Sequence, residues 1–385
     1  MLSRRTRWDR TPNRLAALLE RKRAEGARLI DLTETNPTRV GLTPPPQVLA
    51  ALADPANLRY EPAPLGMPEA RAAVAADFAR RGARVSGDSV VLTASTSEAY
   101  AYLFKLLCDP GDVVLVPRPS YPLFDFLAAL ESVEVATYAL AYDGEWRLDA
   151  RSLAAAVGPR TRAIVLVNPN NPTGSFLKRD EVDAVFEAAA RAGAAIVSDE
   201  VFGDYAFGPD PRRVATLAAE RDVLGFALGG LSKSCGLPQL KLAWMAVSGP
   251  GAEAAEAIAR LEVVADSYLS VATPVQRAAA DLLGRRAELQ APIAARVGRN
   301  LASLEGRARR TAATLLHVEG GWSAVLRVPA TISEEDRALE LLERHDVVVH
   351  PGYFFDFEQE AFLVLSLLPP PEAFEDGVDR ILRVL

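Results

Sequence analysis

The chain has few of the side chains that build metal sites or covalent cross-links. Its 385 residues include two cysteines, Cys108 and Cys235, and three histidines, His317, His345 and His350. Two cysteines make neither a disulfide framework nor a Cys-rich metal site, and the histidines lack zinc-type spacing. No N-terminal stretch carries the apolar core of a secretory signal, and no apolar run reaches the length of a membrane span. A reduced, cytoplasmic protein that avoids membranes is the expectation. Net positive charge is also missing. The formal net charge of −7 leaves no basic footprint for nucleic acid, and the cluster Arg4, Arg5, Arg7, Arg10 and Arg14 reads as a solvated arm.

Lysine is scarce too. Of 43 Lys plus Arg, lysine stands only at 22, 105, 178, 233 and 241. Arg keeps its proton in proteins, whereas Lys releases it once its surroundings lower the pKa. Two of these lysines fall in one segment, Gly229-Gly230-Leu231-Ser232-Lys233-Ser234-Cys235-Gly236-Leu237-Pro238-Gln239-Leu240-Lys241. A Lys retained against an arginine bias suits a task that needs an amine, such as Schiff-base formation. A surface residue in a Gly-rich turn is the other reading of the same segment.

What is present describes a globular chain, 49% hydrophobic and 24% charged, and long enough for two domains. Leu15 to Arg23 has helical spacing, Leu29 to Thr33 reads as a short strand, and Asn36-Pro37 marks a turn. The run Thr43-Pro44-Pro45-Pro46 looks like a linker. From Pro68 onward helices alternate with short apolar runs at Val90–Thr93, Val113–Val116, Val135–Ala139, Ala163–Val167, Ala194–Ser198, Val223–Leu228 and Lys241–Val247. Such runs suit strands covered on both faces, so the pattern predicts an α/β domain with a mainly parallel, doubly wound sheet. After about Gly249 long helices take over, followed by strands at Trp322–Val328, Val347–Val349 and Phe362–Leu367. These predict a smaller α+β domain completed by the N-terminal segment. The expected division is residues 1–43 (arm and part of the small domain), 44–270 (large domain) and 271–385 (small domain).

Ligands of open α/β sheets collect at the carboxyl ends of the strands. Val90–Thr93 is followed by Ala94-Ser95-Thr96-Ser97-Glu98, hydroxyls opening a helix, which reads as an anion cradle or as an ordinary helix cap. Val113–Val116 leads into Pro117-Arg118-Pro119-Ser120-Tyr121-Pro122, and Ala163–Val167 into Asn168-Pro169-Asn170-Asn171-Pro172-Thr173-Gly174. Ala194–Ser198 leads into Asp199-Glu200, where a carboxylate at a strand end is partly desolvated and needs a cationic partner. Val223–Leu228 leads into the Lys233 segment. Five polar turns at the same kind of position point to one site.

With these residues in place, the chain resembles a fold-type I pyridoxal-phosphate (PLP) enzyme of the class I/II aminotransferase family over nearly its whole length. The matches are Asn168-Pro169-Asn170-Asn171-Pro172-Thr173-Gly174, Asp199-Glu200 and Ser232-Lys233, with weaker agreement at Tyr60, Gly66 and Pro351-Gly352. The resemblance implies that Lys233 forms the Schiff base with PLP and moves the proton. It implies that Asp199 pairs with the pyridine nitrogen, that Tyr121 stacks on the ring, and that Asn171 donates to the phenolic oxygen. By the same resemblance Thr96, Ser97, Ser232 and Lys241 bind the phosphate. Tyr60 reaches the phosphate of a neighbouring subunit, so a homodimer is implied.

Four positions depart from the family. Phe202 stands where a Tyr hydroxyl is usual, which should raise the pKa of the Schiff base. Tyr205 is a nearby candidate to compensate. Lys241 replaces an Arg on the phosphate and loses its bidentate fork, and Gln239 stands where Gly is common. Val364, in Phe362-Leu363-Val364-Leu365-Ser366, replaces the Arg that clamps the substrate carboxylate. Arg39 is the leading substitute for that clamp, a plain surface charge being the other reading of it, and His350 is a second pocket candidate. The resemblance thus implies transfer of an amino group from an amino acid to a 2-oxo acid by a ping-pong route. A decarboxylase, β-lyase or cyclase on the same fold is the alternative, favoured by Phe202 and Val364. Related sensor domains carry a DNA-binding module ahead of this unit, where here only a short arm is expected.

Overall fold

The computed structural model describes residues 2–219, 222–269 and 271–385. Eight strands of the large sheet are labelled here in chain order: β1 (Val90–Thr93), β2 (Val113–Arg118), β3 (Glu134–Tyr142), β4 (Trp146–Leu148), β5 (Thr161–Val167), β6 (Ala195–Asp199), β7 (Gly225–Gly230) and β8 (Ala243–Ser248). Their spatial order is β1-β8-β7-β6-β5-β2-β3-β4. The neighbours β7–β6, β6–β5, β5–β2 and β2–β3 are parallel. β8 runs antiparallel to both of its neighbours, and β4 antiparallel to β3.

Alternation along each strand explains why both faces are covered. Val114 and Val116 of β2, Ala163 and Val165 of β5, and Ala195 and Val197 of β6 pack into one core with the helices Thr96–Leu107 and Gly251–Tyr268. The intervening Leu115, Ile164, Leu166 and Ile196 pack into another, against the helix Arg179–Ala192. A period of two with apolar residues on both sides is what a doubly wound sheet requires. The expected strands are all present with ends shifted by a few residues. β4 was not expected, because its three residues carry too short a pattern.

The second sheet has the order Thr314–Leu315, Ser323–Arg327, Phe362–Ser366, His350–Pro351, all antiparallel. The N-terminal segment joins this unit. Ile30–Asp31 pairs in parallel with Val347–Val348, and Leu15, Leu18, Leu32 and Val40 share a core with Val297, Leu341, Phe374 and Ile381. The boundary expected after residue 270 falls just ahead of the next helix, and Ser270 itself lies outside the described residues. Helix Thr273–Gly284 buries Val275, Ala278, Ala279 and Leu282 in one core with Val74 and Phe78 of the large-domain helix Pro68–Arg80. Its apolar face therefore packs on the large domain.

Buried charges tie the two units together. Lys178 is wholly buried, and its Nζ lies 2.6 Å from Glu319 Oε2; Arg213 Nε holds the other oxygen of Glu319 at 3.0 Å. Gly174 makes the same junction possible. Its φ of +72° suits glycine, and a Cβ there would collide with the carbonyl of Gly320.

Candidate active site

Strand register builds the site. Thr93 of β1 and Gly230 of β7 both pair with Ala243 of β8. The turns leaving this row, which carry Thr96 and Ser97, Ser232 and Lys233, and Lys241, therefore emerge at one end of the sheet. Val167 of β5 pairs with Asp199 of β6, and Asp199 pairs with Leu228 of β7. Asn168, Asp199 and the Lys233 turn accordingly leave at the same edge.

A cavity of about 380 Å³ opens there. It is lined by Lys233, Asp199, Asn171, Tyr121, Thr96 and Ser97 among the expected residues. Other residues form its walls: Tyr100, Phe202, Trp322, Phe355 and Val364 on the apolar side, and Thr33, Ser323, His350 and Ser366 among the polar groups.

The Asp199-Glu200 pair divides its labour. Glu200 turns away from the cavity to a buried ion pair with Arg81 at 2.9 Å, and also accepts from Ser198 Oγ and the Leu217 N–H. Asp199 faces the cavity. Among the described residues its donors are neutral, the Tyr100 hydroxyl at 3.2 Å and the Val201 N–H at 3.2 Å. Burial therefore pushes its carboxyl up to about 6, with the two hydrogen bonds and the Lys233 charge pulling the other way. Lys233 is the complementary case. Burial lowers its ammonium to about 8, against a smaller upward pull from Asp199. Its Nζ lies 4.8 Å from the Trp322 ring centre and 5.3 Å from that of Phe202.

Asn171 is oriented by Ser323, whose hydroxyl donates to Asn171 Oδ1 at 3.4 Å. That bond leaves the amide N–H groups for the cavity. Asn170 ties the loop to β2's exit through the Pro119 carbonyl at 3.1 Å, and the Ser120 N–H donates to the Phe355 carbonyl at 2.9 Å. Tyr121 is held at the rim between these anchors. Thr96 and Ser97 open the helix Thr96–Leu107, where Ser95 Oγ accepts from the Glu98 N–H at 3.1 Å. Backbone N–H groups in such a first turn lack intrahelical partners and suit an anion.

Four expected residues do not line this cavity. Ser232 sits beside Lys233 in the short helix Leu231–Ser234. Lys241 is exposed, with a left-handed φ of 54° that turns the chain toward β8. Tyr60 is 69% exposed. Arg39 is not brought to the cavity, contrary to its expected role: its side chain is 75% exposed and paired with Glu34 at 3.4 Å. Tyr205 does not replace the hydroxyl missing at Phe202, because its own hydroxyl donates to the Lys233 carbonyl at 2.8 Å. Val364 is a buried part of the cavity wall, so apolar surface does stand at that position. Tyr100 was missed, although it lies one helical turn after Thr96 and so shares its face. Nothing in the sequence marked Trp322.

A depressed amine and a buried carboxylate with no ion-pair partner among the described residues, with a helix N-terminus nearby, fit pyridoxal phosphate. The pyridinium would supply the cation that Asp199 lacks, and the phosphate would meet the first turn at Thr96 and Ser97. Fold and site therefore define a fold-type I PLP enzyme.

The chain belongs to the family described as Aminotransferase class I and II, matched over residues 27–381. It is 33% identical over 213 residues to nicotianamine aminotransferase 1 of Oryza sativa subsp. japonica, covering 55% of this chain and 42% of that protein. It is 29% identical over 269 residues to the glutamate-pyruvate aminotransferase AlaA of Escherichia coli strain K12, covering 69% of this chain and 66% of that one. These alignments thus span less than two thirds of either relative. Among solved structures, an alanine aminotransferase from Pyrococcus furiosus superposes with a TM-score of 0.90, covering 100% of this chain and 99% of that one at 23% identity, which shows the shared fold.

Proposed function

We propose that the protein is a PLP-dependent aminotransferase that moves an amino group from an amino acid to a 2-oxo acid, by a ping-pong route. The observation that carries this reading is the Lys233–Asp199 pair. An amine held near 8 and a buried carboxylate without an ion-pair partner among the described residues face one cavity at the strand ends.

When bound, PLP supplies a carbonyl for amine exchange and a ring that accepts the electrons of the broken Cα–H bond. The chain supplies positioning and proton transfer. Lys233 Nζ, partly unprotonated near neutral pH, takes and returns the proton. Asp199 would hold a positive charge at the pyridine nitrogen. Asn171, fixed by Ser323, donates into the cavity, while Phe202 contributes no donor there. Tyr121, in the cavity wall, would cover a face of the ring. Thr96 and Ser97 would hold the phosphate from the cavity wall, with Ser232 and Lys241 contributing from beyond it, Lys241 as a single flexible charge.

A homodimer with Tyr60 reaching the partner's site belongs to the same reading. The exposed apolar residues Leu58, Tyr60, Val263, Tyr268 and Leu269 support it. A cytoplasmic setting is also part of this reading, supported by the two unpaired cysteines Cys108 and Cys235. A lyase or decarboxylase is the second reading, favoured by Phe202 and Val364 in the cavity wall. A relative named S-alkyl-thiohydroximate lyase, from Arabidopsis thaliana, is 33% identical over 188 residues.

Borohydride reduction of the loaded protein followed by peptide mass mapping tests the assignment. Cofactor fixed on Lys233, and absent after Lys233→Ala, is expected. Label elsewhere, or label that survives the substitution, overturns it.

A further inference from the structure

The cavity contains no guanidinium among the described residues. Its fixed charges are Lys233 and Asp199, both committed to the cofactor in the reading above. Several polar groups near the substrate end are already engaged. Thr33 Oγ1 donates to Asp31 at 2.5 Å, Ser366 Oγ donates to the Glu34 carbonyl at 2.6 Å, and Ser323 Oγ serves Asn171. A carboxylate buried there without a cation would carry a large desolvation cost.

His350 is placed to relieve it. In the antiparallel ladder His350 lies directly opposite Val364. Directly paired side chains share a sheet face with Cβ atoms about 5 Å apart, and both residues line the cavity. The imidazole thus stands beside the position where the resemblance leads one to expect the missing Arg. Phe354 and Phe355 confine it, with ring centres 5.5 and 5.7 Å away.

The ionisable groups on the surrounding elements are few. Asp31 lies on the N-terminal strand, and Glu334 opens the helix Glu334–His345, with its oxygens on the Tyr353 and Phe362 N–H groups. The exposed Tyr353 phenol lies on the adjoining turn, and Lys233 and Asp199 lie across the cavity. Of these only Asp31 weighs on the imidazole, favouring its charged form, whereas burial favours the neutral one and prevails. At neutral pH the imidazole is therefore neutral.

We propose that His350 receives the substrate carboxylate in the place left by Val364, and that carboxylate binding draws one proton from solvent onto the imidazole. The assignment rests on the cavity being the substrate site of the proposed aminotransferase. Free protein and carboxylate carry no proton between them; the complex carries one, as imidazolium against carboxylate. Affinity for a carboxylate should then be highest at low pH. It should fall about tenfold per pH unit between the imidazole's pKa in the free site and its higher value in the complex.

Calorimetry on the PLP-loaded protein tests this with phenylacetate, which carries no amine to react, and with its neutral analogue phenylacetamide. Repeating the titration in buffers of different ionisation enthalpy counts protons. The expected result near pH 7 is uptake approaching one proton per phenylacetate and none per phenylacetamide. His350→Asn should lose the uptake and weaken phenylacetate about tenfold or more while leaving phenylacetamide unchanged. His350→Arg should bind phenylacetate without uptake. Val364→Arg, with His350 intact, should bind it tightly at all pH values and serves if the His350 variants fold poorly. Phenylacetate bound without proton uptake, uptake that persists in His350→Asn, or no binding of either probe overturns the proposal. The response of the visible cofactor band to amino donors, recorded on the same preparation, judges the aminotransferase reading separately.

Discussion

Replacing Asp199 by Asn separates what the site costs the fold from what it gives the cofactor. Burial raises the Asp199 carboxyl from 3.8 to about 6 in the cofactor-free protein. A raised pKa for an acid means that the folded state binds the proton more tightly than the unfolded chain. Stability therefore falls as pH rises from about 4 to about 6 and stays low above that. A shift of about two units corresponds to about 3 kcal/mol. Asn keeps an acceptor for the Val201 N–H and a polar partner for the Tyr100 hydroxyl, without the charge. Urea unfolding of cofactor-free protein should show Asp199→Asn more stable by about 2–3 kcal/mol at pH 7, with the gain disappearing below about pH 4. In the loaded protein the order should reverse, because Asn offers the pyridinium no charge. A gain independent of pH, or no gain at pH 7, would refute the electrostatic argument.

The remaining expectations follow from other contacts. Phe202→Tyr should return a donor to the cavity beside Lys233, so the visible cofactor band should titrate at a lower pH; an unchanged midpoint would mean that the new hydroxyl points elsewhere. Lys178→Ala leaves Glu319 buried with Arg213 alone, and should cost about 3–5 kcal/mol in denaturant unfolding, with little response to salt. Tyr205→Phe removes the bond to the Lys233 carbonyl and should cost about 1 kcal/mol without moving the cofactor's pH titration.

Asp199, Asn171 and Lys233 were legible because each follows an apolar strand, and strand ends of a doubly wound sheet converge. Val364 was legible as a departure from a motif. What escaped depends on pairing and packing. The neighbourhood of His350 and Val364 comes from register between segments fourteen residues apart, which no local pattern reveals. Arg39 seemed suited to the cavity by its place after Asn36-Pro37, but the turn there directs its side chain to Glu34 at the surface. Glu200 and Asp199 are adjacent in sequence yet serve opposite sides of the sheet edge, because successive strand residues alternate. Trp322 lies over Lys233 only because the small domain closes on the large one.

The central claim is that Lys233 and Asp199 serve amino-group transfer. Mixing the loaded protein with single amino acids, without an oxo-acid acceptor, tests it most directly. At least one donor should discharge the visible band while releasing one equivalent of its 2-oxo acid, and a 2-oxo acid should restore the band. Release of carbon dioxide or of an eliminated side chain with the band regenerated unaided would contradict it.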